Sequence, residues 1–439
     1  MGLMSVSPSL RVAVLGAGTV GAAVVRGFLQ RPQKMAPFDG ARLELVGVAD
    51  RFMDRVIAAG VPAELVTDAP ANLVADPGVD IIVELLGGDE PARTLIAAAL
   101  GAGKRVVTAN KHVIAHHGPG LEAIARERGG ILRFEAAVGG GTPVLSPLAA
   151  DLAANVVGQV RGIVNGTTNF ILTAMREQGR GYADVLAEAQ SKGYAEADPR
   201  GDVEGDDAVN KIVILARLAF GAWLRPGDVL AIPATLRGPG RPGITGVTAG
   251  EVAAAGRLGL TLKLIALAER DAAGRPVASV LPSAVDRDAP LGRTDGVLNR
   301  VEVVADPVGT VAFSGPGAGG AATSSAVLGD LVALARGHGS TWAGLPPAAA
   351  SPAAASPAGA APRGAPGAAL AGARAWFAFL PGSDPAAVRA AAGDALEAVA
   401  GADGGSAVRT AGLSLERARA VLLAVRPDMA DATLYPVVA

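Results

Sequence analysis

A short apolar run, Arg11-Val12-Ala13-Val14-Leu15, passes directly into Gly16-Ala17-Gly18-Thr19-Val20-Gly21 and then into a helix-forming stretch from Ala22 to Gln30. Few architectures accept that order. The first glycine permits a tight turn, the second lets backbone approach a pyrophosphate, and the third lets strand and helix pack closely. The helix start behind them offers unpaired N–H groups and the positive end of a dipole, which together favour phosphate. Leu43 to Ala49 follows as a second strand. A strand–turn–helix–strand order of this kind predicts a parallel sheet with a dinucleotide at Gly16, Gly18, Thr19, Val20 and Gly21. Without the flanking strands the glycines would read as an ordinary turn.

Asp50 closes the second strand, where an acid would bind the ribose hydroxyls of NAD. Arg51 follows at once and would instead meet a 2′-phosphate. The two residues point to opposite cofactors, and both readings stay open. Val79 to Glu84 and Arg105 to Thr108 read as further strands, with a helix after Pro91 between them. Ligands of such sheets sit beyond the strands' C-terminal ends, where Thr108 and Lys111 lie. Lys111 also reads simply as a solvated lysine at a helix start.

Ile131 to Val138 is expected as another strand, opening into the turn Gly139-Gly140-Gly141-Thr142. Val160 to Val164 runs into Asn165-Gly166-Thr167-Thr168-Asn169, where a strand breaks into a small polar turn and a helix. Such a turn seats a carboxylate at a helix N-terminus, or simply caps the helix. The segment from Gly193 to Lys211 crowds Glu196, Asp198, Asp202, Glu204, Asp206 and Asp207 before a lysine, in a chain only 18% charged. Asp207 and Lys211 are one helical turn apart and share a face. Carboxylates around one ammonium suit a cationic amino group beside a proton-transfer site; the alternative is a solvated acidic loop.

At 439 residues and 50% hydrophobic content the chain needs more than one core. With no cysteine, a thioester route through a thiolate and thiolate metal sites are excluded. A net charge of −2 with scattered arginines leaves no nucleic-acid footprint, and no apolar run is long enough to span a membrane. Met1 to Leu10 lacks a signal-peptide pattern, so a cytoplasmic location is expected. Gly315 to Thr323 is again glycine-rich before a helix reaching Arg336. Leu345 to Leu370, rich in Pro, Ala, Ser and Gly, reads as a linker, and few contacts should cross it. Beyond it we expect a strand at Ala375 to Leu380, a helix from Asp384 to Ala400 and a strand at Val421 to Val425.

The expected fold class is α/β. It comprises a Rossmann-type nucleotide-binding domain over 10–140, an α+β substrate and dimerisation domain over 141–304, and a return to the first domain over 305–344. A linker over 345–370 and a small α+β domain over 371–439 complete it.

These motifs together resemble homoserine dehydrogenase. Thr108-Ala109-Asn110-Lys111 is similar to its T-A-N-K segment, and Glu135 to Gly141 to its E-A-x-V-G-x-G turn. Gly162 to Asn169 resembles G-I-x-N-G-T-x-N, and Gly193 to Pro199 resembles G-Y-x-E-x-D-P. Asp202, Gly205, Asp207 and Lys211 continue in register, and the likeness spans residues 10 to about 337. No kinase-like region precedes Leu10, so a single-activity dehydrogenase is expected. The tail resembles the βαββαβ ACT module that relatives carry, except at the turn Pro381 to Pro385.

The resemblance implies interconversion of L-homoserine and L-aspartate 4-semialdehyde with NAD or NADP. It implies Lys211 and Lys111 as catalytic residues. Glu196, Asp207, Asp202, Gly166, Thr167 and Tyr194 would bind substrate. Arg51, Thr108, Lys111, Gly193 and Gly319 would join the glycine turn at the cofactor, and oxygens of Glu135, Val138, Gly140 and Thr142 would hold a sodium ion. It also implies a homo-oligomer. Two rivals remain: another amino-acid or imine dehydrogenase on this fold, and a non-enzymatic nucleotide-binding sensor.

Overall fold

The computed structural model describes residues 9–36, 39–348, 370 and 372–438. They form two compact units. One ends at Ala154 and takes up the chain again at Gly315; the other runs Asn155–Ser314 and includes the described part of the tail. The expected boundary at residue 141 therefore falls later. The expected linker lies largely outside the described residues, at positions 349–369.

In the first unit the described strands are β1 (Ser9–Leu15), β2 (Arg42–Ala49), β3 (Val66–Thr67), β4 (Ile81–Glu84), β5 (Arg105–Thr108) and β6 (Ile131–Arg133). They form a wholly parallel sheet in the order β3-β2-β1-β4-β5-β6. Strand order reverses direction between β2 and β4 around β1, which is the switch point where such sheets bind dinucleotides. Val12, Val14, Ile81 and Val83 are buried on both faces, as a doubly covered parallel sheet requires. The helices Thr19–Gln30 and Gly320–Ala335 pack together over this core through Val24, Val25, Phe28, Val327 and Leu331. The strand expected over Ile131 to Val138 stops at Arg133. Phe134 N–H donates to the Thr341 hydroxyl and Glu135 N–H to Asp330, so the chain leaves the ladder and coils into a short 3₁₀ turn.

The second unit contains β7 (Val156–Ile163), β8 (Ala234–Thr235), β9 (Leu260–Arg270), β10 (Pro276–Asp286), β11 (Leu298–Asp306), β12 (Gly309–Pro316), β13 (Trp376–Pro381), β14 (Leu396–Ala402), β15 (Gly405–Thr410) and β16 (Thr433–Val438). Among the described residues these make one sheet in the order β12-β11-β7-β9-β10-β16-β13-β15-β14, with β8 paired to β16. The tail is thus no separate domain. Its strand β16 pairs in parallel with β10 at Ala284↔Val437 and Val285↔Val438. Trp376, Leu380 and Leu434 share one core with Leu230, Leu236 and Leu281 of the preceding segment.

Within the tail the order is strand, helix, strand, strand, helix, strand, with β13 and β15 central, as in βαββαβ ferredoxin-like modules. Two local expectations differ. The helix placed over Asp384 to Ala400 ends at Ala392, because Gly393 turns the chain with φ +52° and the next residues pair with β15 as β14. Val421 to Val425 is not a strand but the end of a helix, Leu415–Val425, capped by Ser414 and burying Leu415, Ala418 and Leu422 at helical spacing.

Candidate active site

The nucleotide half is built at the C-terminal ends of β1, β2, β4 and β5. Gly16 takes φ +94°, and a Cβ there would lie 2.7 Å from the Leu85 carbonyl oxygen. A Cβ on Gly21 would lie 1.9 Å from the Gly16 carbonyl oxygen, so the helix can start this close to the strand only with glycine. A Cβ on Gly18 would meet nothing within 4 Å, which leaves the turn open where a pyrophosphate would approach. Gly320, at the start of the returning helix, touches Thr19, bringing two helix N-termini together; Gly319 before it has φ +113°.

The Asp50 carboxylate accepts from Ala17 N–H at 2.7 Å and from Phe52 N–H at 2.8 Å, bracing the glycine turn. Arg51 and Arg55 each stack on the Phe52 ring at 4.8 Å, and Phe52 is 48% exposed. Among the described residues neither guanidinium has an acidic partner. These side chains, with Gly16 to Gly18, Asp68 and Leu85 to Gly87, line a cleft of about 520 Å³.

Thr108 is fully buried. Its hydroxyl donates to Glu84 at 2.6 Å and accepts from Asn110 N–H at 2.9 Å. Glu84 also accepts from Leu86 and Gly87 N–H, and Asn110 donates to the Gly88 carbonyl. Burial pushes the Glu84 carboxyl up, against the pull of its bonds from Thr108 and the two amides. The Thr108 hydroxyl thus holds the loop at Glu84 and the turn at Asn110 together. Asn110 caps the helix Lys111–Arg128, which puts the half-buried Lys111 at its first residue.

The substrate half lies in the second unit, at the end of β7. Lys211 is 7% exposed on the helix Asp206–Phe220. Its ammonium donates to the Val164 carbonyl at 2.6 Å and to Asp207 at 2.7 Å. Asn165 Nδ2 donates to Asp202 at 2.7 Å and to Asp207 at 2.9 Å, while its Oδ1 caps Thr168 N–H. The Thr167 hydroxyl sits 2.9 Å from Asp202 and 2.7 Å from the Tyr194 carbonyl. Asp207, Asp202, Thr167, Gly166 and Lys211 are thus brought together, with one negative charge in excess.

Tyr194 is 45% exposed, its ring edge-on to Phe170. Glu196 is exposed on the same loop, and its carboxylate makes no hydrogen bond among the described residues. Gly193 starts that loop at φ +72°. Sequence reasoning missed Asn165 as a site residue, although an amide between a strand end and a helix start was the available signal. It also missed Glu84 and Arg55.

At the turn after β6, Glu135 is buried, and its carboxylate accepts from Val144, Leu145 and Ser146 N–H within 2.8 Å. The Thr142 hydroxyl is buried with no hydrogen-bond partner among the described residues. Among the described residues there is no group of three or more His, Asp or Glu side chains poised for a metal. An ion here would rest on carbonyl and hydroxyl oxygens, which suit a hard cation.

The parallel sheet, the glycine turn and the acid–lysine cluster define an NAD(P)-dependent oxidoreductase with a separate substrate domain. Two family models match: "Homoserine dehydrogenase, NAD binding domain" over residues 16–135 and "Homoserine dehydrogenase" over 143–332. The chain therefore belongs to the homoserine dehydrogenase family, whose reaction interconverts L-homoserine and L-aspartate 4-semialdehyde. It is 46% identical to the homoserine dehydrogenase of Mycobacterium tuberculosis over 331 residues, 74% of this chain and 72% of that one. It is 42% identical to that of Synechocystis over 327 residues, covering 74% and 73%. The crystal structure of the Thiobacillus denitrificans enzyme superposes with a TM-score of 0.82 at 32% identity over 98% of this chain and 99% of that one. A hyperthermophilic archaeal homoserine dehydrogenase, solved with NADPH, matches 74% of this chain and 97% of its own at a TM-score of 0.60 and 28% identity. No helix among the described residues is long and apolar enough to cross a membrane.

Proposed function

We propose that this protein reduces L-aspartate 4-semialdehyde to L-homoserine with Lys211 as proton donor, and prefers NADP(H). One observation carries the first part. The Lys211 ammonium spends two N–H groups on Val164 and Asp207, and the third has no acceptor among the described residues. That hydrogen is available to the alkoxide that forms when the aldehyde carbon accepts hydride. When bound, the nicotinamide supplies the hydride; this chain's residues hold the substrate and move the proton. Asp207 keeps the ammonium aimed, and Asn165 holds Asp207 and Asp202 side by side by donating to both. The excess negative charge suits the substrate's ammonium, with the uncommitted Glu196 joining it. Lys111 and the backbone at Gly166, Gly193 and Gly319 complete the contacts to substrate and cofactor.

The preference for NADP(H) rests on Arg51 and Arg55, two guanidiniums in the nucleotide cleft that form no ion pair among the described residues. A sodium ion at Glu135, Val138, Gly140 and Thr142 would satisfy the orphaned Thr142 hydroxyl. We place the protein in the cytoplasm as a homo-oligomer. The deciding experiment is homoserine turnover by wild type and Lys211→Ala. The variant should lose roughly 100- to 10,000-fold in kcat while binding cofactor as wild type does. Near-wild-type turnover would remove Lys211 from the proton-transfer role.

A further inference from the structure

Strand β9 carries a lysine that this chemistry does not use. Lys263 is 1% exposed. Its ammonium has three hydrogens and three close acceptors: the Thr294 carbonyl at 2.8 Å, Asn169 Oδ1 at 2.9 Å and Asp295 Oδ1 at 2.9 Å. Burying an ammonium is costly: without Asp295 its charge would be uncompensated, and without Asn169 it would lose a hydrogen bond. Each partner belongs either to the helix Gly166–Gln178 or to the loop that leads into β11.

The same two elements are tied elsewhere. Asn169 Nδ2 donates to the Thr294 carbonyl at 3.0 Å and to the Leu298 carbonyl at 3.1 Å. Gly296 N–H donates to the Thr173 hydroxyl at 3.3 Å, and Arg176 donates to both Asp295 oxygens at 3.0 Å. Asn169, Thr173 and Arg176 follow one helix face, so the loop lies along the helix. At its far end the Val297 carbonyl oxygen lies 2.9 Å from where a Cβ on Gly166 would be. The loop therefore closes on the first residue of the helix, beside Asn165, which links Asp202 to Asp207.

We propose that Lys263 is a positioning residue for the substrate pocket. By tying the Thr294–Leu298 loop to the Asn169 face, it fixes the first helical turn, Asn165 to Thr168, on which the two carboxylates hang. The inference rests on reading Asn165 to Lys211 as the substrate half. It is tested on the full chain with Lys263→Met, which keeps the length and removes the charge, and with the milder Asp295→Asn.

Amide hydrogen exchange without substrate should rise about tenfold at Gly166–Asn169 and at Thr294–Leu298, and stay unchanged in the helix Thr19–Gln30. For homoserine kcat/KM should fall about tenfold or more, with the cofactor KM within about twofold of wild type, because misplacing the site acts on one substrate only. Unchanged exchange at Gly166–Asn169 in a folded variant overturns the proposal. So does raised exchange with unchanged kcat/KM, or an equal loss for homoserine and cofactor. If Lys263→Met does not fold, Asp295→Asn decides by the same criteria. Failure of wild type to turn over homoserine would count against the functional reading instead, with the exchange measurement still deciding the clamp.

Discussion

At Asp50 and Arg51 the sequence names two opposite cofactors, and the two side chains are engaged differently. Asp50 spends its carboxylate on the Ala17 and Phe52 amides, a bracing role that any dinucleotide could share. Among the described residues Arg51 and Arg55 form no ion pair, and both are held over one aromatic ring. A 2′-phosphate would supply the missing anion. Arg51→Ala with Arg55→Ala should lower kcat/KM for NADP by roughly 10- to 100-fold, the loss of one or two charge-assisted contacts, and leave NAD nearly unchanged. Equal effects on both cofactors would remove these arginines from the specificity role. A second residue-scale test concerns Glu196, an acid of the proposed pocket whose carboxylate makes no hydrogen bond among the described residues. Glu196→Gln should raise the homoserine KM about tenfold or more, since an amide pairs poorly with an ammonium. An unchanged KM and kcat would exclude it. Asn165 offered a local signal, an amide between a strand end and a helix start, but its partners lie some forty residues on; Arg55 was not legible, because it acts through the ring of Phe52 one turn back.

The elements around the nucleotide were the most legible part of the chain, since each glycine there answers a local steric demand. Two of them make opposite demands. A Cβ on Gly21 would drive into the Gly16 carbonyl, so Gly21→Ala should displace the helix Thr19–Gln30, lowering both cofactor affinity and thermal stability. A Cβ on Gly18 meets nothing, so Gly18→Ala should keep its melting temperature and lose only cofactor affinity. Melting scans with and without NADP separate the two, and a stable Gly21→Ala would show that the turn relaxes. Elsewhere the elements were less legible. Val421 to Val425 is as apolar as a strand and could not be told from a helix by periodicity over five residues. The strand over Ile131 to Val138 failed at Phe134 for a reason no local pattern carries: its amides are taken by Thr341 and Asp330, some two hundred residues away. The acid cluster was legible as a cluster. The Asp207–Lys211 pair within it was legible too; its links to Val164 and Asn165 were not, since they depend on where β7 ends relative to the helix Asp206–Phe220.

For the whole chain, the Pro- and Ala-rich stretch before the tail suggested a boundary at which the protein could be cut, and the sheet runs across it. β16 completes the edge of β10 and also pairs with β8 through Leu434↔Ala234. Leu230, Leu236 and Leu281 lie in the core with Trp376 and Leu434. Each such leucine contributes about 1.5–3 kcal/mol through burial, so exposing all three costs several kcal/mol against a total stability of roughly 5–15 kcal/mol. An unpaired β10 edge would add an aggregation risk. The dependence expected on these contacts is one of packing. Truncation after Ala343 should give aggregated protein, or protein melting well below the full chain. The same truncation carrying Leu230→Thr, Leu236→Thr and Leu281→Thr should recover soluble material with homoserine turnover. A truncated wild-type sequence that is soluble and melts with the full chain would show that the shared core is dispensable, and that the tail is a separable domain after all.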